Sequence, residues 1–369
     1  MSRTLPLRPD EHVNWKASVP FLLFHLVPLA AFYTGVSKAA LALGVASYLV
    51  RMFFITAGYH RYFSHRSFKA PRAVVFLLGL GGTSCLQKGP LWWASHHRLH
   101  HRETDNEADV HSPLKGFWHS HVGWILSDRH KKTDLGMVKD LAKFPELRFI
   151  DRFEWMAPLT LAIASYFIAG LSGLVVGFFC STILLWHGTF TVNSVAHVFG
   201  KRRYATTDTS RNSALVALIT LGEGWHNNHH HHQVSARQGF FWWEYDPTFY
   251  VLKAMSLVGL VSDLRVPTAE VKAGARLKSG YLDVGMVRSH WTKASAALAA
   301  SKASVSHLPS KVSDTRHHVG DALHARREAV EAKLSEERAA LEHQLGAALA
   351  SVESYGRTLH AGGRIRPQE

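Results

Sequence analysis

The side chains of this 369-residue chain best suited to chemistry are its histidines, of which there are 26. Most of those before residue 270 gather in four places. His60 and His65 lie in HRYFSH; His96, His97, His100 and His101 in SHHRLHH; His197 in VNSVAH; and His226 with His229 to His232 in GEGWHNNHHHHQ. Taken alone, the last tract is open to three readings: a metal site, a solvated loop or an accident of composition. Four such groups in one chain favour the first, with helices converging to offer neutral imidazoles to metal.

Spacing supports this. At about 100° per residue, positions i, i+3 and i+4 of a helix fall within an arc of roughly 100°, so His97, His100 and His101 point one way. The i, i+5 pair His60 and His65 stands about 140° apart on a regular helix, so the helix is expected to end or distort within residues 61–64 if both bind metal. Eight or nine imidazoles exceed what one ion takes, since zinc sites use about four ligands, and this number argues for two metals close together. Carboxylate-bridged dimetal bundles carry paired Glu and Glu-x-x-His motifs; no such pair is present. An all-nitrogen shell suits iron, copper, nickel or zinc, and spacing does not choose among them.

The elements that must position these groups are apolar. Hydrophobic residues make up 47% of the chain, and the formal charge is +14. A basic excess of that size suits nucleic acid, an anionic membrane surface or an anionic substrate. The apolar runs decide for the membrane, because crossing a bilayer takes roughly 17 to 25 mostly apolar residues. Four spans in two hairpins are expected, over 19–36, 39–58, 155–169 and 173–193, giving an all-α integral membrane protein with a cytoplasmic helical cap from 59–152 and 198–267. Basic residues crowd outside the two hairpin tips, which hold only Lys38, so both termini and the histidine site are expected on the cytoplasmic side. The start, MSRTLPLRPDEH, reads as a cytoplasmic segment (1–18) without a signal peptide. Cys85 and Cys180 are too few for a disulfide framework and lack zinc spacing; packing is their expected role. The apolar run 73–86 is short for a span and is expected to lie at the interface or dip partway in. Residues 268–369 form a polar extension, loosely ordered over 285–320 and helix-forming over 321–355.

With the boxes and spans in place, the chain resembles the membrane fatty-acyl desaturases of the Δ9, stearoyl-CoA desaturase type, as a bacterial member. The likeness is carried by HRYFSH, HRLHH, VNSVAH and GEGWHNNHH in this order, by TAG before His60, by HVGWIL at 121–126 and by GEG at 222–224, and it runs from about Asn14 to Pro267. It implies a centre of two iron ions that uses O2 to remove two hydrogens from a methylene pair and leave a cis double bond, with no catalytic side chain beyond the metal centre. The implied ligands are His60, His65, His97, His100, His101, His197, His226, His229 and His230, with Asn193 reaching one metal through water. Asp105, Asp109 and His111 match positions that orient ligands. Gln87, Trp93 and Thr189 match positions beside the bent acyl chain. Arg129, Lys131 and Lys132 match basic residues against coenzyme A. Tyr48 and Met52 match the far end of the acyl tunnel, and the bulk of Met52 points to a limited chain length.

The chain departs from acyl-CoA members at Ser95-His96, where they tend to carry Arg-Asp, which leaves acyl-CoA, another thioester or an acyl lipid as the substrate. Absence of a GxGxxG fingerprint, a CxxC cluster and an HPGG segment implies an external electron donor, ferredoxin or cytochrome b5-like, with its reductase. The inner membrane of a bacterium is the implied location, with no nucleic-acid partner. The nearest rival is a dimetal hydroxylase or alkane monooxygenase. A histidine-lined metal transporter would place imidazoles within the spans, where only His25 and His187 fall; a zinc hydrolase comes third. Within the opening tract, helical angles of about −60° and +40° set His229 and His230 on the face of His226, while His231 and His232 fall at about +140° and −120°. The first three are expected to bind metal and the last two to stand aside.

Overall fold

The computed structural model describes residues 5–274, Arg276 and isolated positions at 295, 298, 299, 332 and 335. The expected segments 285–320 and 321–355 therefore lie, apart from those positions, outside the described residues. Contacts divide the chain after Ser295, and nearly all described residues belong to the first unit. Among them every element is helical, and strand pairing is confined to isolated bridges such as that of Lys69 with Ser262.

Among the described residues three helical stretches are long and apolar enough to cross a membrane: Trp15–Thr34, Lys38–Ser64 and Met156–Val198. In the first, α1 (Trp15–Leu26) starts where the Asn14 side chain accepts the Ala17 amide at 3.1 Å, satisfying one of the free N–H groups of the first turn. In the second, α2 (Lys38–Phe53) is capped in the same way by Ser37. Faces turned away from the protein carry large apolar side chains such as Phe32, 92% exposed, and Phe167, 80% exposed. A contiguous surface of this kind fits a bilayer rather than water.

The ends of these stretches differ from expectation. The first starts four residues earlier than position 19, and the second runs on to Ser64 instead of stopping near 58. The expected spans 155–169 and 173–193 share a single stretch of 43 residues. Straight, it would be about 65 Å long at 1.5 Å per residue. It is not straight: α5 (Met156–Ser172) breaks at Ala169 and Gly170, the latter at φ 62°, ψ −153°, a conformation open to glycine. Beyond the break a Cβ placed on Gly173 would stand 2.2 Å from the Ser165 carbonyl oxygen. Eight residues along a straight helix would separate the two by about 12 Å, so the chain has folded back. It continues as a π-helix over Gly173–Cys180 and then as α6 (Ser181–Asn193).

Three further helices complete the frame of the site. The apolar α3 (Arg72–Thr83) has only 12 residues. Next, α4 (Pro90–Glu103) begins with proline, whose missing N–H costs nothing there, and the Asp151 carboxylate accepts its Leu91 and Trp92 amides at 2.9 and 3.1 Å. The third, α7 (His226–His231), carries the histidine tract. A buried core that includes Met52, Tyr59, Phe63, Leu91, Leu185 and Leu252 joins the span helices to the helices that carry the boxes.

Candidate metal centre

The second span changes its winding just where it brings in the first histidines. From Phe54 to Ser64 it is π-helical, and the His65 amide donates to the His60 carbonyl at 3.2 Å, an i to i+5 bond. This wider turn is what brings two histidines five residues apart to one side, and their ring centroids are 4.8 Å apart. The distortion expected within 61–64 is thus present but begins earlier, at Phe54.

Nine imidazoles meet in two adjacent groups. His60, His65, His97, His101 and His229 form one, and His100, His197, His226 and His230 the other, with the candidate ligand atoms of each group within 4.8 Å of one another. In the first, Nε2 atoms pair at 2.9 to 3.1 Å, as in His65 with His97 and His60 with His229. In the second, Nε2 of His226 and His197 are 3.0 Å apart. The groups touch through His101 and His230, whose ring centroids are 4.5 Å apart.

Neither three-histidine box serves one group only, although the three rings of each share one face of their helix. His97 and His101 join the first group while His100 joins the second; His226 and His230 join the second while His229 joins the first. Residues i and i+4 flank one edge of the helical face and i+3 the other, so each box straddles the boundary between the groups. His231 turns away: its ring stacks on Tyr204 at 3.9 Å and its Nε2 donates to the Val271 carbonyl at 3.0 Å.

Carboxylates fix several rings from behind. Asp109 meets His100 Nδ1 at 2.8 Å, Asp208 meets His230 Nδ1 at 2.8 Å and Glu223 meets His60 Nδ1 at 2.5 Å. Such contacts set the tautomer and aim the other nitrogen at a metal. Asp105 touches no ring; it accepts the Thr209 amide at 2.7 Å, and the Thr209 hydroxyl meets His197 Nδ1 at 3.1 Å. His111 packs its ring 4.2 Å from that of His100. Asp208, Glu223 and Gln238, the last 3.2 Å from His60 Nδ1, are not singled out by sequence reasoning. Glu223 offers a signal, standing between two glycines at the head of the histidine tract. Gly222 has φ 120°, and a Cβ there would lie 2.5 Å from Asp246 Oδ1. The same Asp246, with Glu223, grips the fully buried Arg61 guanidinium at 2.9 and 3.0 Å.

The electrostatics fit cation binding. Burial pushes His97, His101, His226 and His229 well below the ordinary histidine range, and neighbouring imidazoles push further, so they are neutral and able to ligate. Burial also lowers His100, but the Asp109 charge and hydrogen bond outweigh it and raise the pKa. Nε2 of His100 and of His230 are buried without a hydrogen-bond partner although the opposite nitrogen of each ring is held by a carboxylate. Orphaned buried nitrogens among neutral imidazoles are the donor set a borderline transition metal requires.

A cavity of about 260 Å³ adjoins the first group. His97, Gln87, Trp93, Thr189 and Asn193 all line it, and Gln87 bridges two of them, donating to Thr189 Oγ1 at 2.9 Å and accepting from Trp93 Nε1 at 3.4 Å. Lys131 lines its outer part and is ion-paired with Asp128. Arg129 pairs with Asp10 at 3.0 Å, and Lys132 is exposed. Tyr48 and Met52 do not line this cavity. Tyr48 lines a second, more open apolar cavity on α2 and α6 and donates to the Ile219 carbonyl at 2.6 Å. Met52 is fully buried, and a Cβ on Gly188 would meet its methyl at 3.1 Å.

Apolar helices long enough to cross a bilayer, a double histidine cluster and an adjoining cavity fit a membrane protein with a metal site. Residues 37–258 match the family model described as fatty acid desaturase. The chain is 35% identical over 266 residues to the sn-1 stearoyl-lipid 9-desaturase of Anabaena variabilis, covering 71% of this chain and 98% of that one. It is 36% identical over 267 residues to the icosanoyl-CoA 5-desaturase of Limnanthes douglasii (71% and 75% covered), and 37% identical over 256 residues to Delta-9 acyl-lipid desaturase 2 of Arabidopsis thaliana (69% and 83% covered). The chain belongs to the fatty acid desaturase family.

Proposed function

We propose that this protein introduces a cis double bond at the Δ9 position of a saturated acyl chain, using O2 and two iron ions held by the nine imidazoles, one ion per group. The observation that carries this reading is the division of nine histidines into two touching groups beside a cavity. When bound, the irons would supply with O2 the oxidising power that no side chain has. The protein's own share is positioning. Asp109, Asp208 and Glu223 orient rings; Gln87, Thr189 and Trp93 shape the cavity where the chain bends; Asn193, at the end of α6, lines the same cavity within reach of a water on the metal side. Reducing O2 to two waters takes four electrons, two from the acyl chain and two from outside, so a ferredoxin or cytochrome b5-like donor with its reductase completes the system.

We place four crossings in two hairpins, the second turning at Gly170, with both termini and the metal centre on the cytoplasmic face of a bacterial inner membrane; the basic residues outside the hairpin tips support this orientation. Residues 268–369 are read as an extension that starts with the helix Ala269–Ala273 against the body. Expression in a desaturase-deficient host, with double-bond position read by mass spectrometry and metal content measured on the purified protein, tests the proposal. A Δ9 alkene with about two irons per chain is expected; a hydroxylated chain instead would turn the reading to the monooxygenase. Graded chain lengths test Met52: it packs beside Gly188 off the cavity wall, and Met52→Ala is expected to open that packing to the cavity and extend the preferred chain.

A further inference from the structure

The outer end of the cavity bears on the headgroup, which family membership leaves open. Ala17, Ser18 and Phe21, on the first turns of α1, line it. The cavity therefore opens beside the start of a membrane-spanning helix, at headgroup depth, where the ester groups of glycerolipids sit. Its charges are already matched. Of the two lysines that line it, Lys88 holds Glu154 at 2.7 Å and Lys131 holds Asp128. Nearby, Arg129 holds Asp10 at 3.0 Å and the buried Glu11 at 3.3 Å. Coenzyme A carries several phosphate charges and calls for unmatched cations; a glycerolipid ester calls for one neutral donor at its carbonyl.

That donor is present. His130 lines the cavity, is 7% exposed, and its Nε2 is buried with no hydrogen-bond partner. Its backbone carbonyl accepts Trp92 Nε1 at 2.9 Å, and the ring stands edge-on to His96, with 5.7 Å between centroids. Burial, with His96 and Arg129 close by, pushes its pKa down to about 3, so the ring is neutral and one nitrogen carries a hydrogen. His96 is the residue at which the chain departs from acyl-CoA desaturases, and its Nδ1 is tied to the Trp92 carbonyl at 2.8 Å.

Resting on the desaturase reading, we propose that the substrate is the acyl ester of a glycerolipid rather than acyl-CoA, with His130 Nε2–H donating to the ester carbonyl oxygen and His96 bracing the His130 ring. The test uses the full-length protein in membranes of expressing cells fed deuterated stearate. New alkene is expected first in intact glycerolipids, and membrane fractions given O2 and NADH should prefer vesicles of 1-stearoyl-2-oleoylphosphatidylcholine to stearoyl-CoA. Alkene appearing first on coenzyme A overturns the proposal; alkene in neither pool overturns the desaturase reading itself, a distinguishable result. His130→Phe is expected to raise KM for the lipid by about three- to ten-fold with little change in kcat, as loss of one neutral hydrogen bond does, and His130→Gln to restore most of it; equal losses in both variants would remove His130 from the assignment. Asp10→Asn with Asp128→Asn frees Lys131 and leaves Arg129 with Glu11 alone, and should improve use of stearoyl-CoA severalfold; no improvement would defeat the charge argument.

Discussion

In the five-histidine group one carboxylate, Glu223, reaches a ring, whereas in the four-histidine group Asp109 and Asp208 each hold a ring at 2.8 Å and Thr209 stands behind a third. The first group opens through His97 onto the cavity; the second has no ring on the cavity wall, only His111 beside it. Equal ligand chemistry is thus placed in unequal electrostatic settings. Negative charge behind an imidazole strengthens its hold on a cation, so on the proposed two-ion reading the four-histidine side is suited to retaining its ion and the five-histidine side to facing substrate.

The comparison can be broken at its ligands first. His229→Ala removes a ring from the first group and His230→Ala its neighbour from the second; each is expected to abolish desaturation and to leave metal content near one ion per chain instead of two, measured by elemental analysis. Loss of both ions in His229→Ala would mean the groups do not fill independently. Next come the carboxylates. Asp208→Asn should weaken retention by the second group about 10- to 100-fold in chelator competition. Glu223→Gln should cost less metal, since the glutamine side-chain oxygen can still accept from His60 Nδ1, and the reverse order would undo the asymmetry. Gly222→Ala forces a side chain into φ 120° against Asp246 and should lower stability by about 1–3 kcal/mol, read as a fall in Tm. The smallest effect belongs to His231→Gln and His232→Gln, which should retain most activity and their metal; metal loss in either would return these residues to the centre.

Helical spacing, a one-dimensional signal, picks out His97, His100, His101, His226, His229 and His230; the family resemblance adds His60, His65 and His197, and the groups gather those same nine. Their partition cannot be read that way. A face 100° wide tells that His97, His100 and His101 point together, but which edge meets which neighbour depends on how α4 and α7 cross, and that is set by packing far along the chain. The carboxylates are harder still. Asp208 sits in a polar stretch, TTDTSRNS, with no periodicity to mark it, and it reaches His230 only because the 199–212 segment returns along α7. The spans are legible as apolar mass, yet their ends are not, since helix continues past Gly58 into Tyr59, His60 and Arg61, polar residues that become affordable only when buried partners receive them.

The π-helical stretch Phe54–Ser64 also makes this part of the chain intolerant of changes in length. A surface loop absorbs an inserted or deleted residue at small cost, and a regular helix can hand the error on to its end. Here the extra residue per turn is itself the device that aligns His60 with His65. Deleting one residue between them would let the segment relax toward ordinary winding and swing whatever lies beyond by about 100°, so family members that keep both histidines should also keep four residues between them.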